Sequence, residues 1–319
     1  MVNDNRDSIR ARMKILELLR SATQPLSGEI LAGELGMSRV AVWKHIKALE
    51  EHGYRFTAEK RGYTLTAHPQ DSLLPWDLNT VSAPVSHFPE TDSTMNRALE
   101  AAIAGAADGS LFIAERQKAG RGTGSKEWES VEGGLFFTLL IRPSLRSAHY
   151  FRSVTAAQCA LVETLRDHGI QAAAAWPNDI LARNEETGEM AKAGGILCEH
   201  LCSGNSVRFL NLGIGMNTGN RPESGGTARL AIGRRDLLEG FLRRLTKASL
   251  ENPDLEARWN ALSAHHNREC RLVSGGTVLK GLFKGLDPYG NARILLDSAC
   301  EERRFQPGSV SILNKGTSS

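Results

Sequence analysis

Nowhere in the 319 residues does an uninterrupted apolar run approach the roughly 18 residues that a membrane-spanning helix requires. The opening Met1-Val-Asn-Asp-Asn-Arg-Asp7 is polar and lacks the apolar core of a secretory signal. These two absences predict a cytoplasmic chain with no membrane partner. Cysteine is also sparse. The five residues, at positions 159, 198, 202, 270 and 300, form an odd set without zinc-ligand spacing and read as reduced, incidental thiols. The G-x-G-x-x-G fingerprint and the regular strand-helix alternation of a dinucleotide-binding fold are missing too. What is present is the composition of an ordinary globular protein, 41% hydrophobic and 24% charged, at a length that allows two or three domains.

The formal charge surplus is only +3, but it is unevenly placed. Residues 1–66 hold 11 Lys+Arg against 8 Asp+Glu, so the first fifth of the chain carries all of it and suits a polyanionic partner there. The patterning of that fifth agrees. Ile9, Met13, Leu16 and Leu19 recur at helical spacing until Ser21-Ala-Thr-Gln-Pro-Leu26 breaks the run. Ser27 caps a second helix that Gly36 stops, and Ser38 caps a third over Arg39–Glu51. In that third helix Val40, part of Trp43, Ile46 and Leu49 are expected to face the core, leaving Ser38, Arg39, Lys44 and Lys47 for base contacts in a major groove. Tyr54 to Thr66 alternates like two short strands around Lys60-Arg61-Gly62, a wing with a basic tip. Residues 1–66 therefore read as a winged helix-turn-helix. The competing reading is a small helical dimerisation platform.

Residues 67–83 are polar and proline-marked, which suits a linker, and a mixed sheet with helices is expected over 84–267. Its most unusual stretch is Ala114-Glu-Arg-Gln-Lys-Ala-Gly-Arg-Gly-Thr-Gly-Ser-Lys-Glu-Trp128, a long loop between two apolar strands. Alternating glycines let backbone N–H groups approach an anion, and Arg121 adds a guanidinium that can fork onto a phosphate. Four further motifs accompany it: Glu90-Thr-Asp-Ser-Thr94 at a helix start, Trp176-Pro-Asn-Asp179 at a strand end, Lys192-Ala-Gly-Gly-Ile-Leu197, and Gly213-Ile-Gly-Met-Asn217. Each taken singly has a plain structural reading as a hairpin connection, a helix cap, an Asx turn or an exposed strand-start lysine. Beyond residue 268, short alternating runs separated by Gly275-Gly276, Asp287-Pro-Tyr-Gly290 and Asp297-Ser298 indicate a small barrel. On it Lys280, Lys284, Arg303 and Arg304 form a basic face suited to an acidic partner or simply to solvent.

As an ordered set, these five motifs resemble the catalytic domain of biotin protein ligases, and the whole chain resembles the two-function form that is also a biotin operon repressor. The resemblance implies an α/β (α+β) fold of three parts: the winged helix-turn-helix, a central sheet shared with class II aminoacyl-tRNA synthetases and lipoate ligases, and an SH3-like barrel over 268–319. It implies that Ser93, Thr94 and Met95 meet biotin, with Gln117, Arg121, Gly122, Thr123, Lys192 and Gly195 completing that site. Arg121, Trp128, Asn178 and Asn217 would meet the nucleotide, and Asp179 a Mg²⁺ ion. Arg121 and Lys192 would carry the chemistry: biotin and ATP become biotinyl-5′-AMP, and biotin then passes to a lysine of a biotin carboxyl carrier protein. The adenylate would act as corepressor of a homodimer on operator DNA.

Two positions depart from the family pattern. Thr123 stands where a second arginine is usual and Ala175 where a lysine precedes the tryptophan, so neither supplies charge to a phosphate. Those departures keep open an alternative, a catalytically weakened biotin-sensing transcription factor. Lipoate ligation is a third option, disfavoured because the hydroxyl pair suits a ureido ring better than a dithiolane.

Overall fold

The computed structural model describes residues 6–59, 61–78, 83–184, 186–220, 222, 227–297 and 301–313. The chain divides into two units, residues 1–79 and 80–319. Lys60 of the expected wing tip and Cys300 lie outside the described residues.

The first unit runs α1 (Arg6–Ser21), α2 (Gly28–Leu35), α3 (Arg39–Glu51), β1 (Arg55–Glu59) and β2 (Gly62–Ala67). Both expected caps form: the Ser27 hydroxyl accepts from the Ile30 N–H at 3.1 Å and Ser38 from Ala41 at 3.2 Å, while Gly36 ends α2 in the left-handed region. Such caps contribute about 1 kcal/mol each. The core face of α3 is Val42, Ile46 and Leu49, spaced i, i+4, i+7, packed on Ile15, Leu16 and Leu31. The expected Val40 and Trp43 are instead exposed, because steps of three residues drift around a helix: the stripe through Val42, Ile46 and Leu49 leaves Trp43 on its flank and Val40 on the far side.

The expected linker is only partly one. Leu73, Leu74, Trp76 and Leu78 are buried, and Leu74 and Trp76 join the core of this unit. Asp77, 3% exposed, accepts from the Tyr54 hydroxyl and from Arg20 at 3.2 Å, and Arg12 stacks on Trp76 at 4.6 Å. An apolar segment with a paired carboxylate gains more by docking than by staying solvated.

The second unit is built on a seven-stranded sheet. Its elements are β3 (Val85–Thr91), α4 (Thr94–Ile103), β4 (Leu111–Gln117), β5 (Leu135–Ile141), α5 (Arg152–Asp167), β6 (Ala172–Ala175), β7 (Asp179–Arg183), β8 (Met190–Ser203) and β9 (Ser206–Met216). The strand order is β3-β4-β5-β9-β8-β7-β6, with β3 and β4 parallel and every other pair antiparallel. All seven residues of β5 are buried, which is why Leu-Phe-Phe-Thr-Leu-Leu-Ile reads as an unbroken run: the strand is covered on both faces. Helix α5 is buried along nearly its whole length and receives α6 (Arg234–Arg244), α7 (Lys247–Glu251) and α8 (Leu255–Leu262).

The chain ends in β10 (Glu269–Ser274), β11 (Thr277–Leu286), β12 (Ala292–Leu296), β13 (Glu301–Phe305) and β14 (Ser311–Leu313), an antiparallel sheet of order β13-β12-β11-β10-β14. Among the described residues its outer strands β13 and β14 do not pair, so the sheet is open where a barrel was expected. Its β12 turn is fastened to the larger sheet by the Trp176 indole, which donates to the Gly290 carbonyl at 3.0 Å.

Candidate active site

A cavity of about 470 Å³ opens over the seven-stranded sheet, walled by the start of α4, the loop after β4, the β6–β7 turn and the glycine-containing parts of β8 and β9. One side is a directed chain of hydrogen bonds. Thr138 donates to the Thr94 hydroxyl (2.8 Å), Thr94 to Gln117 Oε1 (3.1 Å), Gln117 Nε2 to Ser130 (2.8 Å), and Ser130 to the Trp128 carbonyl (3.2 Å). The Thr94 N–H also donates to Gln117 Oε1 at 2.8 Å. This fixes which end of the Gln117 amide faces α4 and fastens the loop to the helix start. Ser93, 1% exposed, caps α4 by accepting from the Met95 N–H at 3.3 Å.

The loop after β4 carries its own small hairpin. Gly122 N–H donates to the Lys126 carbonyl (2.8 Å) and Trp128 N–H to the Gly120 carbonyl (2.9 Å), with Arg121 opposite Glu127. The hairpin lays Trp128 on a floor that only glycine permits. A Cβ on Gly215 would stand 2.5 Å from the Trp128 indole, and one on Gly213 would stand 2.7 Å from Met95 Sδ. Their alternation along β9 puts both on one face. Among the described residues the buried Trp128 indole N–H meets no hydrogen-bond acceptor, and satisfying such a donor is worth about 1–3 kcal/mol.

Charge is held in pairs. Lys192 Nζ lies 2.8 Å from Asp179 Oδ1 and 5.4 Å from the Trp128 ring centroid, and Arg121 lies 2.7 Å from Glu199. Half-exposed pairs of this kind contribute about 0–1 kcal/mol, so an incoming anion displaces the carboxylates at little expense. Asn178 is turned back, donating to the Ile196 carbonyl at 2.7 Å. Behind the turn, fully buried Gln158 donates to the Ala175 carbonyl (2.9 Å) and the Asp179 carbonyl (3.0 Å) and accepts from Trp259 Nε1 (2.8 Å). His265 also reaches the cavity; burial first, then the Arg268 charge, bring its imidazole down to about 4, so it is neutral at physiological pH.

Ser93, Thr94, Met95, Gln117, Arg121, Gly122, Thr123, Trp128, Asn178, Asp179, Lys192 and Gly195 all line this cavity. Asn217 does not. Its side chain is buried, accepting from Asn220 at 3.1 Å. Sequence reasoning missed Lys126, Phe137, His265 and the C-terminal Gly308, Val310 and Ile312. A lysine two residues before Trp128 was legible; the C-terminal residues carry no local signal.

Residues 11–64 match an HTH domain model, and residues 87–217, which hold this wall, match the model of the biotin/lipoate A/B protein ligase family. The bifunctional ligase/repressor BirA of Bacillus subtilis (strain 168) is 34% identical over 220 residues, covering 66% of each chain. The chain belongs to the biotin/lipoate protein ligase family. Bifunctional ligase/repressor BirA of Escherichia coli (strain K12) is 28% identical over 320 residues, 94% of this chain and 96% of the relative. The biotin protein ligase from Aquifex aeolicus, solved in complex with biotin and ATP, shares the fold at a TM-score of 0.58 and 24% identity, covering 72% of this chain and 98% of that one. Thr123 and Ala175, the two positions read from the sequence as departures from the family pattern, both line the cavity. Lys126 on the same wall adds a positive charge three residues from Thr123.

Proposed function

We propose that this chain joins biotin and ATP into biotinyl-5′-AMP, releasing pyrophosphate, and transfers the biotin to a lysine of a biotin carboxyl carrier protein, while its N-terminal unit binds operator DNA as a repressor. The observation that carries this is the convergence of a hydroxyl-amide wall and three cations, Arg121, Lys126 and Lys192, on one cavity large enough for a small acid beside a nucleotide phosphate. Ser93, Thr94 and Gln117 offer donors and acceptors side by side, the complement of a ureido ring. Met95 and Phe137 give the apolar surface that a fused ring system and its acyl chain need.

Adenylation by in-line attack forms a bond from the biotin carboxylate oxygen to the α-phosphorus and breaks the bond to pyrophosphate. Such a step needs positioning and charge neutralisation more than a protein acid or base. Lys192 and Arg121 supply the charge once they exchange Asp179 and Glu199 for the substrate anions, and the Trp128 indole N–H supplies a donor awaiting an acceptor. Among the described residues no group of three or more His, Cys, Asp or Glu side chains forms a metal cage. Asp179 would be the protein ligand of a Mg²⁺ ion arriving on the nucleotide, and such an ion would supply neutralisation of phosphate charge there. Transfer then releases AMP as the carrier lysine attacks the acyl carbon.

The open C-terminal sheet would help dock the carrier. A homodimer that forms when the loop closes over the adenylate would present two winged helices to paired half-sites. The test of the enzymatic half is biotin-dependent pyrophosphate release from ATP. Wild type should release it, and Lys192→Met should lose most of the rate while still melting at the wild-type temperature. Tight biotin binding with no pyrophosphate from wild type would favour the weakened biotin sensor. Operator affinity that does not change with biotinyl-5′-AMP would remove the corepressor role.

A further inference from the structure

Two large apolar side chains sit on the solvent side of α3, where the fold has no use for them. Val40 is 63% exposed and Trp43 is 49% exposed, while Val42, Ile46 and Leu49 fill the core side of the same helix. Trp43 is the exposed tryptophan among the described residues; Trp76, Trp176 and Trp259 are buried and Trp128 is half-buried. The pair is spaced i, i+3 and lies in the first two turns of α3, the end of a recognition helix that reaches base edges. It forms one wall of an open groove of about 650 Å³ whose other wall is the wing, through Ala58 and Tyr63.

The charges around the groove tell which part of a duplex would face it. Arg39 and Lys44 flank the pair and are exposed, which suits phosphate on either side. Glu29 lines the groove together with Arg39 and offsets its charge, so the groove itself offers phosphate no net attraction. Base edges then face Val40 and Trp43. The apolar feature that base pairs present in the major groove is the thymine C5-methyl group. Two of the four residues named from the sequence are less free for base contacts, since the Ser38 oxygen is engaged in capping and Lys47 is paired with Glu50 at 2.6 Å.

We infer that Val40 and Trp43 read thymine methyl groups, giving the N-terminal unit a preference for A·T pairs at the steps facing the first two turns of α3. This rests on the DNA-binding reading of that unit and adds its base specificity.

The experiment uses the full chain with biotin and ATP. Binding sites are selected from a random-sequence duplex pool, and the best site is resynthesised with deoxyuridine in place of thymidine, which removes the methyl group and keeps the pairing. Wild type should select sites with recurrent A·T pairs and lose about fourfold in affinity for each contacted methyl removed. The double variant Val40→Ala, Trp43→Ala should bind more weakly and no longer distinguish thymine from uracil. Lys44→Ala should weaken both duplexes equally. Unchanged melting of the three proteins shows that the exposed substitutions spare the fold. Equal wild-type affinity for thymine and uracil duplexes, or selected sites with no recurrent A·T pair, overturns the inference and leaves DNA binding intact. Failure to bind any duplex removes both.

Discussion

Gln158 offers the sharpest test of how the site is held. The side chain is fully buried, and its three hydrogen bonds, to the Ala175 and Asp179 carbonyls and from the Trp259 indole, span 2.8–3.0 Å. Ala175 and Asp179 are partners at the mouth of the β6–β7 hairpin, so a single amide clamps both ends of the turn that carries Asn178 and Asp179 to the cavity. Gln158→Leu keeps the volume and removes every one of these bonds. The Trp259 N–H is then buried without an acceptor, a loss of about 1–3 kcal/mol, and each weakened carbonyl adds up to about 1 kcal/mol. The sum is about 3 kcal/mol, which for a unit of this size lowers Tm by roughly 6–12 °C. Function should fall further than stability, because release of the turn frees Asp179 from Lys192. A misplacement of about 1 Å at such a site can lower the rate about a hundredfold. Calorimetry and biotin-dependent pyrophosphate release, both well below Tm, measure the two effects. Trp259→Phe should lose the indole bond together with some buried ring volume and so also lower Tm, and the double variant should fall short of the sum of the two. A Gln158→Leu protein with wild-type Tm and wild-type adenylation would refute the clamp.

Two further outcomes are expected. Gly215→Ala places a methyl 2.5 Å from the Trp128 indole, so the ring must leave its floor; loop 120–128 should be cleaved faster by protease and the KM for ATP should rise about tenfold, with little change in Tm. His265 contributes to the pH dependence of stability: its folded pKa of about 4 lies below the ordinary 6.5, so its contribution is fully present above pH 6.5 and is lost as pH falls toward 4, up to about 3 kcal/mol. His265→Gln should flatten that part of the stability curve, and an unchanged slope would mean that the imidazole is not buried neutral.

Local chemistry was what the sequence made legible. Ser27 and Ser38 could be read as caps because a cap is decided by residues three apart. The cavity lining from Ser93 to Lys192 could be read because each motif has a distinctive short spacing and family resemblance orders the set. Features decided at long range were not legible. The face of α3 turned on which residues meet Ile15 and Leu31, and that moved Val40 and Trp43 from core to surface. The docking of Leu73–Asp77 depended on Tyr54 and Arg20 from elsewhere in the chain. Gln158 and Trp259 lie about a hundred residues apart in the chain, and only the fold brings them together. Asn217 ended a strand that lines the cavity, yet the chain turns there and its amide pairs with Asn220 instead.

The most direct test of the central claim, that one cavity activates biotin with ATP, is a single-turnover reaction of the purified chain with labelled biotin and ATP, followed by addition of a biotin carboxyl carrier domain. Formation of bound biotinyl-5′-AMP, then stoichiometric AMP and biotinylated carrier, is the predicted result. Biotin that remains bound and unactivated, with no AMP formed and no label on the carrier, would contradict it.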